Sequence, residues 1–385
     1  MTNLPPRQGR SETGDPLLLT PGPLTTSRAV KSVMVHDWGS RDATFLKINR
    51  EVLERLPEIV NAVGSHVTVP MQGSGTFAVE AMLTTFVPAG GKCLLLINGA
   101  YGKRANKILD IAGRRSCVHE TPEDTPPDLA QIDAMLASDS DITHVFAVHC
   151  ETTSGIRNPI AEIGEIVQRH GRRLLIDAMS AFGALPLDAK ATRFDAVAAS
   201  SNKCIEGLPG LGYVICRVAA LEETKGNATT LVLDLHDQWQ NLVKTGQYRF
   251  TPPIHIIVSF HQALMEFFEE GGQPGRGGRY ARNAEILISG MRRLGFTTLL
   301  PDRLQASIIV TFHMPKDPAF VFQTFYDRLR ALGYVIYPGK LTVADSFRIG
   351  CIGRLDEGHM RDALAAVEAT ITEMGVTSHG LAPAA

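Results

Sequence analysis

Short apolar segments alternate with segments of helical periodicity between residues 67 and 217, and this alternation constrains the fold more than any other feature of the chain. It predicts an α/β fold with a mostly parallel central sheet that helices cover on both faces. Ligands of such sheets bind at the carboxyl ends of the strands. The predicted strands are 67–69, 92–97, 116–120, 144–149, 173–177, 196–200 and 212–217, and the predicted helices are 77–86, 103–112, 129–136, 160–170 and 179–183.

The rest of the chain predicts a second, smaller domain of the α+β type. Residues 218–251 read as irregular, a long amphipathic helix is expected over 254–270, and a Gly-rich turn follows at 271–278. Beyond it we expect helices 280–294, 319–332 and 357–374 and strands 307–314, 335–337 and 346–350. The predicted units are a disordered tail (1–16), a large domain with an N-terminal arm (17–270), a small domain (279–375) and a second disordered tail (376–385).

The composition is ordinary for a globular protein and excludes several classes of partner. Of the 385 residues, 38 are basic and 40 acidic, without a long run of either sign, so nothing indicates a nucleic acid or an anionic membrane as a partner. The 6 cysteines are scattered, with no Cys-x-x-Cys pair and no His cluster at metal spacing, which indicates reduced thiols and no metal site. We see no signal peptide and no segment that spans a bilayer, so a cytoplasmic location is expected.

An acid and a lysine each follow an apolar strand. Asp177 ends the predicted strand 173–177, and Lys203 lies just after the strand 196–200, before a Gly/Pro-rich turn. Burial there disfavours the ammonium form of Lys203, as an amine that attacks an aldehyde requires. A strand-end Asp followed by a strand-end Lys is the arrangement that a pyridoxal phosphate enzyme needs. Taken singly, Asp177 reads as a helix cap or turn residue and Lys203 as a surface lysine.

Other polar residues at strand ends predict the rest of a cofactor site. Ser74, Gly75 and Thr76 lie in a Gly-rich turn that opens a helix, where N–H groups and the helix dipole hold an anion; a simple helix cap is the alternative. Tyr101 is a candidate to stack on the cofactor ring or to pack as an ordinary aromatic. Thr153 is a candidate to bond the cofactor's phenolate oxygen, and otherwise belongs to a plain turn.

Arg348 lies between Phe347 and Ile349 on an apolar strand of the small domain. An arginine in this setting either pairs with an internal carboxylate or binds an anionic substrate. Its planar fork suits a carboxylate and a phosphonate equally well. The sequence leaves both interpretations open.

These motifs, in this order, resemble the class V aminotransferases, which are fold-type I enzymes dependent on pyridoxal 5'-phosphate. The likeness spans residues 17–375, and the cofactor motifs are shared by the whole class. The opening segment, the lysine segment and the C-terminal segments point to a phosphonate branch. The segments are LLLTPGPLTTS (17–27), QGSGTFAVE (72–80), NGAYG (98–102), DAMS (177–180), SNKCI (201–205), VIYPGK (335–340) and FRIGCIG (347–353).

The resemblance implies a reaction and a role for each site residue. The amino group of 2-aminoethylphosphonate would pass to pyruvate, giving phosphonoacetaldehyde and L-alanine. A homodimer is implied, with the active site between subunits and Thr251 reaching the partner's cofactor phosphate. The other implied roles are a Schiff base on Lys203, a pyridinium partner in Asp177, a phosphate site at Ser74, Gly75 and Thr76, and substrate contacts from Arg348 and Gly22.

Three other functions remain open at this point. The nearest is an alanine–glyoxylate or serine–pyruvate type aminotransferase, which shares every cofactor residue. A lyase or desulfurase of the same fold needs a mobile nucleophilic cysteine, whereas Cys351 lies in an apolar strand. A regulatory module without catalysis would normally carry a DNA-binding domain, and no basic helix-turn-helix extension is visible.

Overall fold

The computed structural model describes residues 8–339 and 344–377. Its strands are β1 (Leu17–Leu18), β2 (His66–Gln72), β3 (Lys92–Ile97), β4 (Arg115–Glu120), β5 (Ile142–Val148), β6 (Cys150–Glu151), β7 (Ile156–Arg157), β8 (Arg173–Asp177), β9 (Ala196–Ser200), β10 (Leu211–Arg217), β11 (Ile309–His313), β12 (Tyr334–Val335), β13 (Tyr337–Pro338) and β14 (Ser346–Gly350). Its α-helices are α1 (Arg28–Ser32), α2 (Ala43–Arg55), α3 (Gly75–Phe86), α4 (Ala100–Ile111), α5 (Leu129–Ser138), α6 (Ile160–Arg169), α7 (Val218–Glu222), α8 (Leu235–Thr245), α9 (Ile254–Glu269), α10 (Gly272–Arg293), α11 (Phe322–Ala331) and α12 (Glu357–Glu373). Short 3-10 helices cover Val33–Val35 and Pro57–Val60.

A seven-stranded sheet forms the centre, in the order β2-β10-β9-β8-β5-β3-β4. β10 pairs antiparallel with both of its neighbours, and every other pair in this sheet is parallel. The predicted α/β fold with a mostly parallel sheet is confirmed, and each of the seven predicted strands is present. The carboxyl ends of β8 and β9 lie side by side, because Asp177 is in register with Ala198.

Both faces of the central sheet are buried. Leu94 and Leu96 of β3 belong to one hydrophobic cluster, and Leu95 and Ile97 belong to another. Since successive side chains of a strand point to opposite faces, the two clusters lie on opposite sides of the sheet. Strands buried on both faces read as continuous apolar segments, which explains why the sequence predicted them well.

Three predicted elements are wrong. Residues 218–251 are not irregular but contain α7 and α8; α8 has an Asp234 cap at its start and a left-handed Gly246 at its end. The segment 179–183 forms turns instead of a helix, and its last residue, Gly183, has a φ of 84°, outside the helical region. The Gly-rich segment 271–278 is no break: α10 starts at Gly272, and buried Arg276 supplies tertiary contacts that outweigh the poor helix propensity of glycine.

A second hydrophobic core lies among β11, β12, β14, α11 and α12. β1 pairs in parallel with β12, so the N-terminal arm adds a strand to this part of the chain.

Residues 8–16 were predicted as disordered, but the Gly9 N–H donates to the Leu332 carbonyl at 2.8 Å and Glu12 pairs with Arg354 at 3.0 Å. The tail predictions for 1–7 and 378–385 lie outside the described residues. The division into two domains stays a prediction, and α10 runs through its proposed boundary.

Candidate active site

A cavity of about 450 Å³ opens at the carboxyl edge of the central sheet, beside the ends of β8 and β9. This is the edge at which α/β sheets bind their ligands. The structure brings six of the predicted site residues together there, although they are spread over 130 positions of sequence. They are Ser74, Gly75, Thr76, Tyr101, Asp177 and Lys203.

Asp177 is the last residue of β8 and is almost completely buried. One of its carboxylate oxygens accepts the Met179 N–H at 2.9 Å, and the second has no hydrogen-bond partner within the described chain. Burial raises the pKa of Asp177 to about 6, against the effect of the Met179 N–H and the charges of Arg104 and Lys203. A buried carboxylate with a free oxygen can bind a cationic nitrogen.

Lys203 lies in the turn that follows β9, and its amine points toward the N-terminal arm. Nζ donates to the Pro21 carbonyl at 2.7 Å. Burial lowers the pKa of Lys203 to about 8, and the charge of Arg348 adds to the effect, while Asp177 opposes it. An amine with this pKa is neutral in a useful fraction of molecules near neutral pH, and a neutral amine is the form that attacks an aldehyde.

Gly22 was predicted to contact the substrate, and the structure places it against Lys203. Its φ of +127° lies in the region that favours glycine, and a Cβ atom there would come within 2.7 Å of Lys203 Nζ. Only glycine therefore lets the N-terminal arm close over the lysine. Gly22 does not line the cavity, so its predicted role toward substrate stays a prediction.

The turn that carries Lys203 is held by buried ions. Glu206, three residues later, has a positive φ of 63° and is almost fully buried. Its Oε1 accepts from Arg279 at 2.7 Å and from the Tyr280 hydroxyl at 2.5 Å, and Arg276 lies at 3.5 Å. Arg279 also donates to two backbone carbonyls beyond β14. α10 thus connects the lysine turn to the second core.

The start of α3 forms another part of the cavity wall. Ser74 is the N-cap residue, but its side chain makes no capping hydrogen bond, so its hydroxyl and the first N–H groups of the helix are available to an anion. Arg104 of α4 donates to Thr76 Oγ1 at 3.1 Å and so brings a cation to the start of α3. Sequence reasoning missed Arg104, although it lies three residues after Tyr101 on the same helix face.

Tyr101 lines the cavity near the start of α4, and the Arg104 guanidinium lies 4.9 Å from the centre of its ring. Thr153 does not line the cavity. Its hydroxyl donates to the Glu151 carboxylate at 2.6 Å and accepts the Ala100 N–H at 3.1 Å. Its predicted bond to the cofactor stays a prediction. The sequence did not identify Glu151, two residues before Thr153, as a site residue.

Arg348 is 2% exposed on β14 and has only carbonyl partners among the described residues. Nη1 donates to the Thr152 carbonyl at 2.9 Å, and Nε and Nη2 both donate to the Pro338 carbonyl at 3.2 Å. The sequence left open whether an internal carboxylate pairs with it, and the described chain supplies none. The charge of Glu151 acts on Arg348 only from beyond ion-pair distance. A buried guanidinium that has no ion-pair partner in the described chain favours the second interpretation, an anionic ligand.

Thr251 lies away from this cavity. It is exposed and lines a separate cavity of about 350 Å³, together with Arg41, Tyr248 and Arg249. Within one chain it therefore does not meet Lys203. Any contact between Thr251 and a cofactor requires a second subunit.

Cys351 does not have the properties of a desulfurase nucleophile. It is fully buried, and burial raises the pKa of its thiol to about 12. A thiol of this kind is neither mobile nor ionised near neutral pH.

In the part of the chain that the structure describes, no helix combines the length and the apolar character needed to cross a membrane.

The class-V aminotransferase family matches residues 28–324, and the chain belongs to that family. It is 52% identical over 364 residues to the 2-aminoethylphosphonate–pyruvate transaminase of Pseudomonas fluorescens (strain Pf0-1), with 94% of this chain and 99% of the relative covered. The enzyme of the same name from Cupriavidus taiwanensis is 51% identical over 366 residues, with coverage of 95% and 97%. The predicted resemblance is therefore confirmed.

Solved structures of aminotransferases share the fold. The pyridoxamine–pyruvate aminotransferase of Mesorhizobium loti superimposes with a TM-score of 0.87 at 23% identity, covering 95% of this chain and 94% of the other. The alanine–glyoxylate aminotransferase of Nostoc sp. gives 0.85 at 22% identity, with coverage of 96% and 97%. These similarities confirm the predicted fold-type I architecture.

Class-V aminotransferases use pyridoxal phosphate, and the residues around the cavity fit this cofactor. An amine of lowered pKa, a buried carboxylate with a free oxygen and an uncapped helix start match its aldehyde, its pyridine nitrogen and its phosphate. The predicted cofactor agrees with the family and with the chemistry of these groups.

Proposed function

We propose that this protein transfers the amino group of 2-aminoethylphosphonate to pyruvate, giving phosphonoacetaldehyde and L-alanine. The observation that carries the proposal is the 52% identity over nearly the whole chain to a transaminase of that name. The site is consistent with it, since Lys203 and Asp177 flank the cavity and Arg348 has no carboxylate partner among the described residues. Both substrates bring an anionic end that a guanidinium can bind.

Each site residue has a defined task in this proposal. Bound pyridoxal phosphate supplies the aldehyde that the amines join and the ring that accepts the electron pair of the substrate carbon. Asp177 holds the ring nitrogen in its protonated form, and Ser74 and Thr76 hold the phosphate. Lys203 Nζ would take a proton from C2 of 2-aminoethylphosphonate, the carbon that carries the amino group, and in the second half of the reaction it would return one to C2 of pyruvate.

A product assay tests the reaction. Purified holoenzyme is incubated with 2-aminoethylphosphonate and pyruvate, and ³¹P NMR follows the phosphonate while alanine is quantified in parallel. We expect phosphonoacetaldehyde and alanine in equal amounts. Alanine–glyoxylate exchange without any phosphonate turnover would replace the proposal by the alternative aminotransferase of the same family.

Substitution of Arg348 tests the anion site. We expect Arg348→Gln to lower kcat/KM for both substrates by about 10- to 100-fold, because each loses a charge-assisted hydrogen bond. Arg348→Lys keeps the positive charge but not the planar guanidinium group, so its kcat/KM should lie between those of the wild type and Arg348→Gln. Steady-state kinetics measures the effect, and Arg330→Gln, an exposed site on α11, is the control. Unchanged kcat/KM for both substrates in a folded Arg348→Gln protein would refute the role.

We further propose a homodimer whose active site lies between subunits, with Thr251 contacting the partner's cofactor phosphate. Two polar atoms beside Thr251, Asn49 Oδ1 and the Tyr248 hydroxyl, are buried without a partner in the described chain. Phe250 and Val243 nearby are 49% and 70% exposed. Unpaired polar atoms among exposed apolar side chains are typical of a surface that a second subunit covers.

Thr251→Val tests the contact between subunits. Loss of one hydrogen bond to a charged group should weaken cofactor binding on the order of ten-fold, while the dimer persists. Cofactor titration and light scattering measure the two properties, and Thr372→Val on the exposed side of α12 is the control. A monomer that binds the cofactor normally, or unchanged affinity in the variant, would contradict the proposal.

A cytoplasmic location remains part of the proposal. All 6 cysteines are free, and 5 of them are buried. Free thiols are typical of proteins in a reducing compartment.

A further inference from the structure

A second buried carboxyl group, Glu151, lies beside the cavity without a role in the reaction described above. It is 0% exposed and makes no ion pair within the described chain. Oε1 accepts the Thr153 hydroxyl at 2.6 Å and the Thr153 N–H at 3.0 Å, and Oε2 accepts the Tyr101 N–H at 3.3 Å. A buried carboxyl that has three hydrogen-bond donors but no ion-pair partner requires an explanation.

The explanation lies at the start of α4. Its N-cap residue, Gly99, has no side chain, so the first N–H groups of the helix need acceptors from elsewhere. Thr153 Oγ1 accepts the Ala100 N–H, and Glu151 Oε2 accepts the Tyr101 N–H. The β6–β7 segment thus caps α4 from outside, and the positive end of the helix dipole faces the carboxyl group.

The turn before α4 is shaped to fit this carboxyl group. A Cβ atom on Gly99 would lie 2.4 Å from the Glu151 Cδ and Cγ atoms, a distance that real side chains do not reach. Any other residue at 99 would push the turn away from Glu151. Gly99 and Glu151 therefore form a matched pair, in which the glycine brings the first turn of α4 onto the carboxylate.

α4 carries two residues of the cavity wall. Tyr101 and Arg104 both line the cavity, and Arg104 is bonded in turn to Thr76 at the start of α3. A displacement of the first turn of α4 would move both side chains together. We propose that Glu151 is a positioning residue, whose carboxylate, with the Thr153 hydroxyl, anchors the first turn of α4 and so holds Tyr101 and Arg104 against the cofactor.

The anchor depends on the charge of Glu151. Burial raises the pKa of Glu151 to about 7; the Thr153 hydrogen bonds oppose this, and the charge of Asp177 adds to it. The other ionisable groups that interact with it are Tyr101, Arg348 and the Cys150 thiol. Because the protonated acid is a weaker acceptor, the anchor is complete above pH 7 and weakens as the pH falls through 7.

Glu151→Gln removes the charge and keeps the shape of the side chain. In the cofactor-free protein we expect the amides of residues 99–102 to exchange hydrogen on the order of ten-fold faster than in the wild type at pH 8, after correction for intrinsic rates. The wild type should approach the variant at pH 6, and the variant should show no such dependence. Cofactor affinity should fall on the order of ten-fold.

Glu120→Gln is the matched control. Glu120, at the end of β4, pairs with Lys103 of α4 at 3.0 Å, but both side chains are about half exposed. An exposed pair contributes little, so exchange and affinity should not change. If Glu151→Gln does not fold, Thr153→Val leaves the Ala100 N–H unpaired and should change exchange in the same direction.

The proposal would be overturned if hydrogen exchange at residues 99–102 were unchanged in Glu151→Gln. It would also be overturned if Glu151→Gln and the control Glu120→Gln exchanged at the same rate. The affinity measurement rests on the proposed cofactor position, whereas the exchange measurement uses neither cofactor nor substrate. An altered exchange pattern with an unrelated substrate would leave the anchor intact and refute only the proposed function.

Discussion

Replacing Lys203 with alanine is expected to abolish transamination, with a fall in kcat on the order of 10⁴-fold or more. The variant loses covalent attachment of the cofactor and the acid–base group in one step. Borohydride reduction of the wild-type holoenzyme, followed by peptide mass spectrometry, should place the cofactor on the peptide that contains Lys203. The same treatment of Lys203→Ala should label no peptide.

Lys225→Ala is the control for this substitution, since Lys225 is an exposed lysine beyond α7. It should retain normal turnover and normal labelling. Normal turnover in Lys203→Ala, or labelling of another lysine in the wild type, would remove the basis of the proposed mechanism.

Asp177→Asn should have the second largest effect. The amide keeps the shape of the side chain but cannot neutralise a protonated ring nitrogen, and breaking a buried charge pair costs about 3–5 kcal/mol. We expect kcat to fall by about 10²- to 10⁴-fold on this basis. Asp110→Asn, on the exposed face of α4, should leave kcat unchanged. Near-normal turnover in Asp177→Asn would contradict its role.

The same substitution should stabilise the cofactor-free protein. The pKa of Asp177 rises from 3.8 to about 6 on folding, so its ionised form destabilises the folded state by about 3 kcal/mol. The wild type should therefore lose this stability as the pH rises from about 4 to 6, and Asp177→Asn should not. Chemical denaturation at several pH values measures the difference. If the difference in the free energy of unfolding between Asp177→Asn and the wild type does not widen over this pH range, burial does not raise the pKa of Asp177.

The central sheet and the heart of the site could be predicted because both follow local patterns. Each strand is a continuous apolar segment, and Asp177 and Lys203 each follow such a segment directly. Parallel strands end at the same edge of a sheet, so two strand-end residues from neighbouring strands must meet. The Gly-rich turn at 73–76 also follows an apolar strand directly, so the sequence predicted that the helix start after it lies at the same edge.

The long-range contacts could not be predicted in this way. The Pro21 carbonyl reaches Lys203 across 182 positions of sequence, and nothing local indicates it. Arg276 lies in a Gly-rich segment that propensity alone predicts as a break. Its ion pair with Glu270 at 2.6 Å and its hydrogen bond to the Cys204 carbonyl at 2.7 Å are tertiary contacts that favour the helix. The Thr153 hydroxyl was predicted to bond the cofactor, whereas in the structure it donates to the Glu151 carboxylate. Side-chain partners of this kind depend on packing, which periodicity does not encode.

The most direct test of the proposed function is the first half-reaction of the cofactor-loaded protein. Absorbance follows conversion of the bound cofactor to its aminated form with 2-aminoethylphosphonate, alanine or serine as the sole donor, before pyruvate is added. We predict a fast change with 2-aminoethylphosphonate that pyruvate reverses. A change with alanine or serine but none with the phosphonate would contradict the proposed substrate.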